Sequence, residues 1–234
     1  MTRENYNQIA AFNNSFLSNV KRVLMGEPMF TGNRACDLGT AFHSHVLESK
    51  PLPADVTDAE RRMLEGMATA VQPLAGQLIN RYSKIETVKQ WTDAETGLPC
   101  KGILDIHQSG RRHVVDLKTS GCAGPHDFNE AIKRYEYDRA AAFYLDAVGA
   151  DSFTWLCVSK RKPYYVWVKS VRWNDPMIEA GRRKYRFLLR KCVEMGITPG
   201  ATRGEIETAA GMYHQLSNEI EELEAKIDQA EAAI

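Results

Sequence analysis

The amino-acid sequence predicts an α/β fold in which a central mixed β-sheet is flanked by helices and followed by a C-terminal heptad-like helix. Three observations lead to this fold class. Apolar residues recur at helical spacing in the first third of the chain and again beyond its middle. Between these segments, short runs alternate between apolar and polar residues, as strands do. The last segment repeats apolar residues at heptad spacing.

The length of 234 residues is enough for one domain with an appendage. The sequence contains no internal repeat. We therefore expect one domain over residues 1–200. A helical extension over residues 201–234 is a candidate for oligomerisation or for contact with a partner.

Helices are predicted to come first in the chain. Apolar residues at helical spacing place them at residues 8–24, 34–48 and 58–82. Pro51 and Pro53 end the second helix, and Pro73 is a potential break in the third.

Strands alternate with helices in the rest of the domain. The predicted strands are residues 85–92, 101–106, 113–118, 153–159 and 164–171. Asp127 and Glu130 have the spacing of a capping box, which predicts a helix that runs from there to about Val148. Residues 175–195 form a basic amphipathic helix in this prediction.

The C-terminal segment has its own pattern. Thr202 and Glu205 are spaced as a second capping box. Apolar residues then follow at spacings of 4, 3, 4, 3 and 4, at Leu216, Ile220, Leu223, Ile227, Ala230 and Ile234. Such a seam packs either on its own domain or on a partner chain, and the sequence leaves both alternatives open. About three heptads are too few for a stable isolated coiled coil.

Composition excludes several classes of protein. Thirty basic residues balance thirty acidic residues, so a wholly basic nucleic-acid coat is excluded, although local basic patches are not. Five cysteines without a C-x-x-C pair indicate a reducing cytoplasm, and give no support to an iron–sulfur cluster or zinc knuckle. The absence of an apolar leader or an apolar run of eighteen residues indicates that the protein is neither secreted nor membrane-spanning.

The most informative segment joins two short apolar strands that carry acids. Asp105 ends the segment Gly102–Asp105, and the next strand contains Asp116 and Lys118. Side chains at i and i+2 of a strand share a face, and the intervening turn folds Asp105 back beside Asp116. Two carboxylates and one ammonium suit Mg²⁺ and a metal-activated water that attacks a phosphodiester. The alternative is a hairpin flanked by charges, because Asp-x-Lys also occurs by chance.

The order of several motifs carries a family resemblance. The motifs are Asn14–Ser18, Gly39–His43 with Leu47-Glu48, Glu86 before Trp91–Asp93, Lys101–Asp105, Asp116–Thr119 and Tyr137–Asp146. This series resembles the PD-(D/E)xK nuclease superfamily. Within it, the chain is similar to phage recombination exonucleases of the exonuclease VIII type, which are relatives of lambda exonuclease and of the RecB nuclease domain. The resemblance covers roughly residues 12–173 and implies a restriction-endonuclease-like core.

The resemblance implies metal ligands. Asp105 and Asp116 match the carboxylate ligands, and the Leu117 carbonyl would be a further ligand. His43 matches a helix histidine that reaches the metal in the RecB-like branch, although a lone helix histidine is often structural. Glu86 matches an acid that helps a second metal or orients a water; the alternative is a solvated acid at a strand edge.

The resemblance also implies catalytic roles and shows departures. Lys118 would position and help to activate the water, and Tyr144 matches the tyrosine of a helix that usually carries Gln-x-x-x-Tyr. Ala140 stands where that glutamine is expected, so the enzyme is either weakened or receives the lost contact from Arg139 or Tyr137. Leu104 replaces the proline of the superfamily name, which is a common departure.

Basic residues mark candidate contacts with the DNA backbone. They are Arg111 and Arg112 in one turn, Lys160, Arg161 and Lys162 in the next, Arg139, and the helix residues Arg182, Arg183, Arg186, Arg190 and Lys191. Phosphate contacts of this kind bind without sequence preference and weaken with salt. The alternative for each is a solvated face. Trp155, Trp167 and Trp173 are predicted to lie in the core, with base stacking as the alternative.

The sequence therefore predicts an Mg²⁺-dependent exodeoxyribonuclease, with Mn²⁺ as a substitute metal. The resemblance implies 5′→3′ digestion of double-stranded DNA ends, a single-strand annealing protein as partner, and a homo-oligomeric ring of three or four copies. It also implies a bacterial or phage-infected host cytoplasm. Two alternatives stay open: a catalytically weak or inactive DNA-binding module of the same fold, and an endonuclease.

Overall fold

A five-stranded sheet organises the chain. The computed structural model describes the backbone of residues 3–231 and the side chains of residues 5–220. The strands are β1 (Lys84–Thr92), β2 (Pro99–Gln108), β3 (His113–Ser120), β4 (Ser152–Ser159) and β5 (Val166–Arg172). They lie side by side in chain order, and only β3 and β4 are parallel. The sheet is therefore mixed, as the sequence predicts.

Helices cover both faces of this sheet. They are α1 (Arg3–Gln8), α2 (Asn14–Leu24), α3 (Arg34–Glu48), α4 (Asp58–Leu78), α5 (Pro125–Arg134), α6 (Tyr137–Val148), α7 (Pro176–Glu194) and α8 (Arg203–Glu231). One core packs α2, α5, α6 and α7 against one face, around Phe143 and Trp155. The other packs α3 and α4 against the opposite face, around Phe42 and Leu64. Burial of both faces explains why β4 is almost entirely buried.

The α3 bounds match the prediction, but the first predicted helix, residues 8–24, is wrong over residues 9–13. Phe12 instead pairs with the backbone of β2. Its N–H donates to the Pro99 carbonyl at 2.8 Å, and its carbonyl accepts from the Lys101 N–H at 2.7 Å. The helix therefore begins at Asn14, after Asn13 caps it by accepting from the Phe16 N–H. Pro73 does not break α4, which continues to Leu78.

The helix predicted over residues 127–148 is wrong as a single element. The chain forms α5 and α6, separated at Glu136, which has a left-handed φ of 51°. Asp127 lies inside α5 and accepts from the Ala123 N–H at 3.0 Å, so it does not form the predicted capping box. The α5 helix begins instead after Gly124, with Pro125 in its first turn.

The C-terminal helix is present and its capping box is confirmed. The Thr202 N–H donates to the Glu205 carboxylate at 2.7 Å, and the Glu205 N–H donates to the Thr202 hydroxyl at 3.3 Å. Ile206 is buried in the first core, whereas Leu216 is 58% exposed and Ile220 is 54% exposed. The side chains of the other seam residues, Leu223, Ile227, Ala230 and Ile234, lie outside the described residues.

The predicted tryptophan core is confirmed only in part. Trp155 is fully buried and Trp167 packs against the same core. Trp173 is 50% exposed beyond the end of β5, so its prediction as a core residue is wrong. Within the described part of the chain, none of the helices has the length and hydropathy needed to cross a membrane.

Candidate active site

The candidate site lies where β2 and β3 part. Their ladder has only three pairs, from Ile106 opposite Val115 to Gln108 opposite His113. Beyond them, the carboxylate of Asp105 accepts a hydrogen bond from the Leu117 N–H at 2.7 Å. An acidic side chain thus satisfies a backbone donor that a continued ladder would have paired.

The alternation of side chains between the two faces of the sheet is interrupted around Asp105. Leu104 and Ile106 are two positions apart, yet they belong to the cores on opposite sides of the sheet. On β1, Glu86 lies between two residues that pair with Leu104 and Ile106, and it has a left-handed φ of 46°. A non-glycine residue in this conformation costs about 1–3 kcal/mol and persists where the surroundings impose it. The strain coincides with the position where two acids face each other.

Three side chains from different elements meet here. Ligand atoms of His43 on α3, Glu86 on β1 and Asp105 on β2 all lie within 4.8 Å of one another. His43 Nδ1 is 3.5 Å from Asp105 Oδ2. An imidazole and two carboxylates in this arrangement fit a divalent cation, because such ions take oxygen and nitrogen donors at close range.

Asp116 and Lys118 form a second group beside this cluster. Lys118 Nζ lies 2.7 Å from the Asp116 carboxylate, so the two side chains share a face of β3 as the sequence predicts. Asp116 is buried, while about a quarter of the Lys118 side chain is exposed. The lysine is thus held at the acids with part of its surface open to a ligand.

Burial and mutual charge set the pKa values in the site. Burial raises the pKa of Asp116, and the nearby Asp105 charge adds to this rise despite Lys118. Burial also opposes ionisation of Asp105, but His43 and Lys118 outweigh it and lower its pKa. Burial alone would lower the pKa of His43, but Asp105 raises it above the usual value. A bound cation would favour the ionised carboxylates further.

Tyrosines of α6 close the site on one side. A Cβ added to Gly102 would lie 2.8 Å from the Tyr144 ring, so this glycine of β2 allows the close approach of Tyr144. Burial raises the pKa of the Tyr144 hydroxyl, which therefore keeps its proton at neutral pH. Lys118 Nζ lies 5.4 Å from the centroid of the Tyr137 ring. Gly102 has a role that sequence reasoning missed, although a glycine inside a strand is its signal.

A cleft of about 1630 Å³ contains the whole arrangement. Its lining includes the predicted site residues His43, Glu86, Asp105, Asp116, Lys118 and Tyr144. It also includes four basic residues that sequence reasoning did not select: Lys21, Arg22, Lys50 and Arg134.

The predicted DNA-binding residues do not form one group. Lys160 and Arg139 line the cleft, whereas Arg111, Arg112, Arg161 and Lys162 are not part of its lining. Arg139 is only 2% exposed and donates to the Asn14 side chain at 3.0 Å and to the Ser18 hydroxyl, so it joins α6 to α2. Arg112 is paired with Asp151 at 2.8 Å. A DNA contact at each of these positions stays a prediction.

The basic helix α7 is largely neutralised by acids. Arg182 donates to Asp146 at 2.9 Å, and Lys191 pairs with Glu194 at 2.6 Å. Glu95, in the turn between β1 and β2, accepts from Arg190 and lies 3.8 Å from Arg186. These pairs favour a structural role for most of the helix charges over the proposed phosphate contacts.

The fold of this chain is similar to that of a solved structure. The chain superimposes on a crystal structure from Eubacterium rectale, of a protein provisionally named an exonuclease, with a TM-score of 0.60. The match has 16% identity and covers 81% of this chain and 85% of that chain. The two proteins share a fold. This confirms the predicted α/β class, with its mixed sheet and flanking helices.

Other solved structures superimpose more loosely. A phage-related exonuclease from Haemophilus somnus 129PT gives a TM-score of 0.42 at 16% identity, over 92% of this chain and 98% of that one. An alkaline exonuclease from Laribacter hongkongensis gives 0.39 at 12% identity, over 92% and 97%. Neither adds to the conclusion on the fold. No protein-family model and no curated protein sequence matches the chain.

Proposed function

We propose that this protein is a metal-dependent deoxyribonuclease that digests double-stranded DNA from its ends. The observation that carries this proposal is the meeting of His43, Glu86 and Asp105 beside the Asp116–Lys118 pair in one cleft. A fold shared with a protein named as an exonuclease is consistent with it. We further propose 5′→3′ polarity, Mg²⁺ as the metal with Mn²⁺ as a substitute, and delivery of single strands to an annealing protein.

The donor set fits a divalent cation held mainly by side chains. His43, Glu86, Asp105 and Asp116 would hold it, together with the carbonyl of Leu117. The N–H and C=O of one strand residue point to the same edge, and the Leu117 N–H points to Asp105. A bound cation would lower the pKa of a water and offset charge that develops on a phosphodiester.

Lys118 supplies a fixed positive charge in this proposal. Burial alone would lower its pKa, but Asp116 and Asp105 outweigh burial and raise it, so the ammonium keeps its proton at neutral pH. It can donate to a non-bridging phosphate oxygen or orient the attacking water. Because Asp116 and the Tyr137 ring restrain it, little reorganisation is needed when the substrate arrives.

The cleft surface suits a nucleic-acid strand. Lys160 and Arg134 contribute positive charge at its wall, and the serine and threonine side chains that line it can donate to phosphates. Such contacts position the backbone without sequence preference. The family that the chain resembles implies a ring, and on that basis we propose a trimer or tetramer. With a net charge of zero, encirclement would help to retain the protein on DNA.

A second candidate function rests on Ala140. In the family that the chain resembles, a glutamine is expected there, and its absence favours a weak or inactive nuclease-fold module that binds DNA. The intact set of Asp105, Asp116 and Lys118 argues against this alternative. An endonuclease of the same fold would use the same catalytic groups, but it would cut within a strand and would not require a DNA end.

The decisive experiment compares end-labelled linear and covalently closed circular duplex DNA. The full chain is incubated with each in Mg²⁺, in Mn²⁺ and in EDTA. The proposal predicts metal-dependent digestion of the linear form only, and its loss in Asp116→Asn but not in the exposed control Asp58→Asn. Digestion of circles identifies an endonuclease. Binding without digestion in either metal identifies the inactive module.

A further inference from the structure

Two neighbouring tyrosine rings stand on one wall of the cleft. Tyr135 directly follows α5, and Tyr137 begins α6. Their ring centroids are 5.7 Å apart, with 30° between the ring planes. Both residues line the cleft, and Tyr135 is 59% exposed. A large aromatic ring left open inside a cleft can bind a flat apolar group.

The rings lead from the open part of the cleft to the acids. The Tyr137 ring is 5.4 Å from Lys118 Nζ, which is 2.7 Å from the Asp116 carboxylate. Neighbouring nucleotides of a stacked strand are about 3.4 Å apart along the helix axis, and more when the strand is extended. A base on Tyr135 would therefore belong to a nucleotide close to the phosphate held at the acids.

The backbone that carries Tyr135 is firmly held. The Tyr135 N–H donates to the Ala131 carbonyl at 2.9 Å. Glu136, in its left-handed conformation, lies 2.8 Å from Lys21 Nζ and 3.2 Å from Arg139 Nη1. The backbone beneath the ring is thus held at a corner between two helices, so the backbone itself loses little conformational entropy when a ligand stacks on the ring.

We propose that Tyr135 is a stacking platform for the terminal, unpaired base of the strand that is cut. Inside a duplex each base is stacked on both faces, so only an end or an unpaired nucleotide offers a free face. Aromatic side chains bind such faces without regard to base identity. The inference rests on the proposed nuclease function and deepens it, because the platform selects DNA ends as the substrate. Arg134, beside it on the same wall, suits the adjoining phosphate.

The first test measures stacking without catalysis. Duplexes carry 2-aminopurine at a frayed 5′- or 3′-terminal position, and binding is followed in EDTA by fluorescence. We expect quenching by the wild type and by Tyr135→Phe, and most of the quenching to be lost in Tyr135→Leu. Tyr82→Leu is the matched control, because Tyr82 is 64% exposed and does not belong to the cleft lining. Equal quenching by Tyr135→Leu and the wild type overturns the platform, as does no quenching by the wild type.

The second test measures cleavage in Mg²⁺ with a terminal nucleotide that carries or lacks its base. We expect the wild type to cut the abasic end on the order of tenfold more slowly, from the usual strength of base stacking. Tyr135→Leu should cut both ends at the same, lower rate. If Tyr135→Leu discriminates between the two ends as well as the wild type does, the stacking role of Tyr135 is wrong, while the proposed nuclease function is retained. If the wild type cuts neither end in Mg²⁺ or Mn²⁺, the proposed function fails, and the fluorescence result decides stacking alone.

Discussion

Asp105 and Asp116 are the same amino acid, but their surroundings drive their pKa values in opposite directions. Asp105 faces His43 and accepts the Leu117 N–H, which lowers its pKa despite burial. For Asp116, burial dominates over the favourable charge of Lys118 and raises its pKa. A pair of titratable groups separated in this way is characteristic of functional sites. At the scale of the residue, the site is thus prepared for an additional positive charge.

His43→Ala should lower the affinity for the metal more than the affinity for DNA. Loss of a ligand should raise the Mg²⁺ or Mn²⁺ concentration for half-maximal cleavage by roughly tenfold or more. His45→Ala is the control, because His45 lies on the same helix but bonds the Lys50 carbonyl at 2.8 Å. An unchanged metal titration in His43→Ala would assign this histidine to structure alone.

Glu136→Gln should reduce stability at neutral pH. Burial raises the pKa of Glu136, but the Lys21 hydrogen bond and the Arg139 charge outweigh burial and lower it below 4.5. A lowered folded-state pKa contributes stability above the unfolded value, and the contribution disappears as pH falls through the folded value. Thermal unfolding should therefore separate the wild type from the variant by about 1–2 kcal/mol at pH 7, which is the usual strength of a charge-assisted hydrogen bond reduced for the partial exposure of Lys21. The two should converge well below pH 4.5; a constant difference would contradict the ion-pair origin.

At the scale of the element, α6 depends on how closely α7 approaches it. A Cβ added to Gly181 on α7 would lie 2.2 Å from the Asp138 carbonyl oxygen of α6. Asp138 is itself buried and paired with Lys184 at 2.7 Å. Since α6 carries Tyr137 and Tyr144, the packing of these two helices positions one side of the site.

Gly181→Ala should therefore destabilise the protein by about 1–3 kcal/mol, because the helices must move apart. Gly204→Ala is the matched control in the first turn of α8, where an added Cβ meets nothing within 4 Å. It should be neutral or slightly stabilising, because alanine favours a helix over glycine. Denaturant unfolding measures both, and equal effects would show that the α6–α7 approach does not limit stability.

At the scale of the whole molecule, the net charge is zero, so the proposed binding of DNA would depend on local basic patches. Lys160 is the predicted DNA-binding lysine that lines the cleft, whereas Arg161 and Lys162 lie outside its lining. Lys160→Gln should make the log–log salt slope of duplex binding shallower by about one unit, as one phosphate contact is lost. The same measurement on the charge-reversed Arg161 and Lys162 variant tests whether DNA extends beyond the cleft. An unchanged slope would place that turn away from DNA.

Assembly is the second property of the whole molecule. Ala201 and Ile206 are buried in the core that α2, α5, α6 and α7 form on one face of the sheet, so removal of all residues after Gly200 would damage that core. A chain that ends at Ser217 keeps these contacts and, of the predicted seam, only Leu216; it removes the seam from Ile220 onward. We expect it to fold normally and to have a smaller oligomeric mass by light scattering. An unchanged mass would mean that the core alone assembles.

What the sequence determined by itself is short-range. Period-two alternation placed Asp116 and Lys118 on one face, because that geometry is fixed within a single strand. The spacing of Thr202 and Glu205 predicted the start of α8 for the same reason, since a capping box closes within three residues. Most helix positions followed from apolar periodicity, because each of these helices packs one apolar face against the sheet.

Only the tertiary structure decided how these pieces meet. Phe12 hydrogen-bonds to the backbone of Pro99 and Lys101 instead of continuing its predicted helix. The β2–β3 ladder ends early, so the Asp105 carboxylate accepts a hydrogen bond from the Leu117 N–H. Glu136 and Glu86 adopt left-handed conformations that no local preference for glutamate predicts. The reason is physical: contacts between distant elements impose such conformations, and no pattern within one element records which distant side chain will satisfy a buried donor or charge.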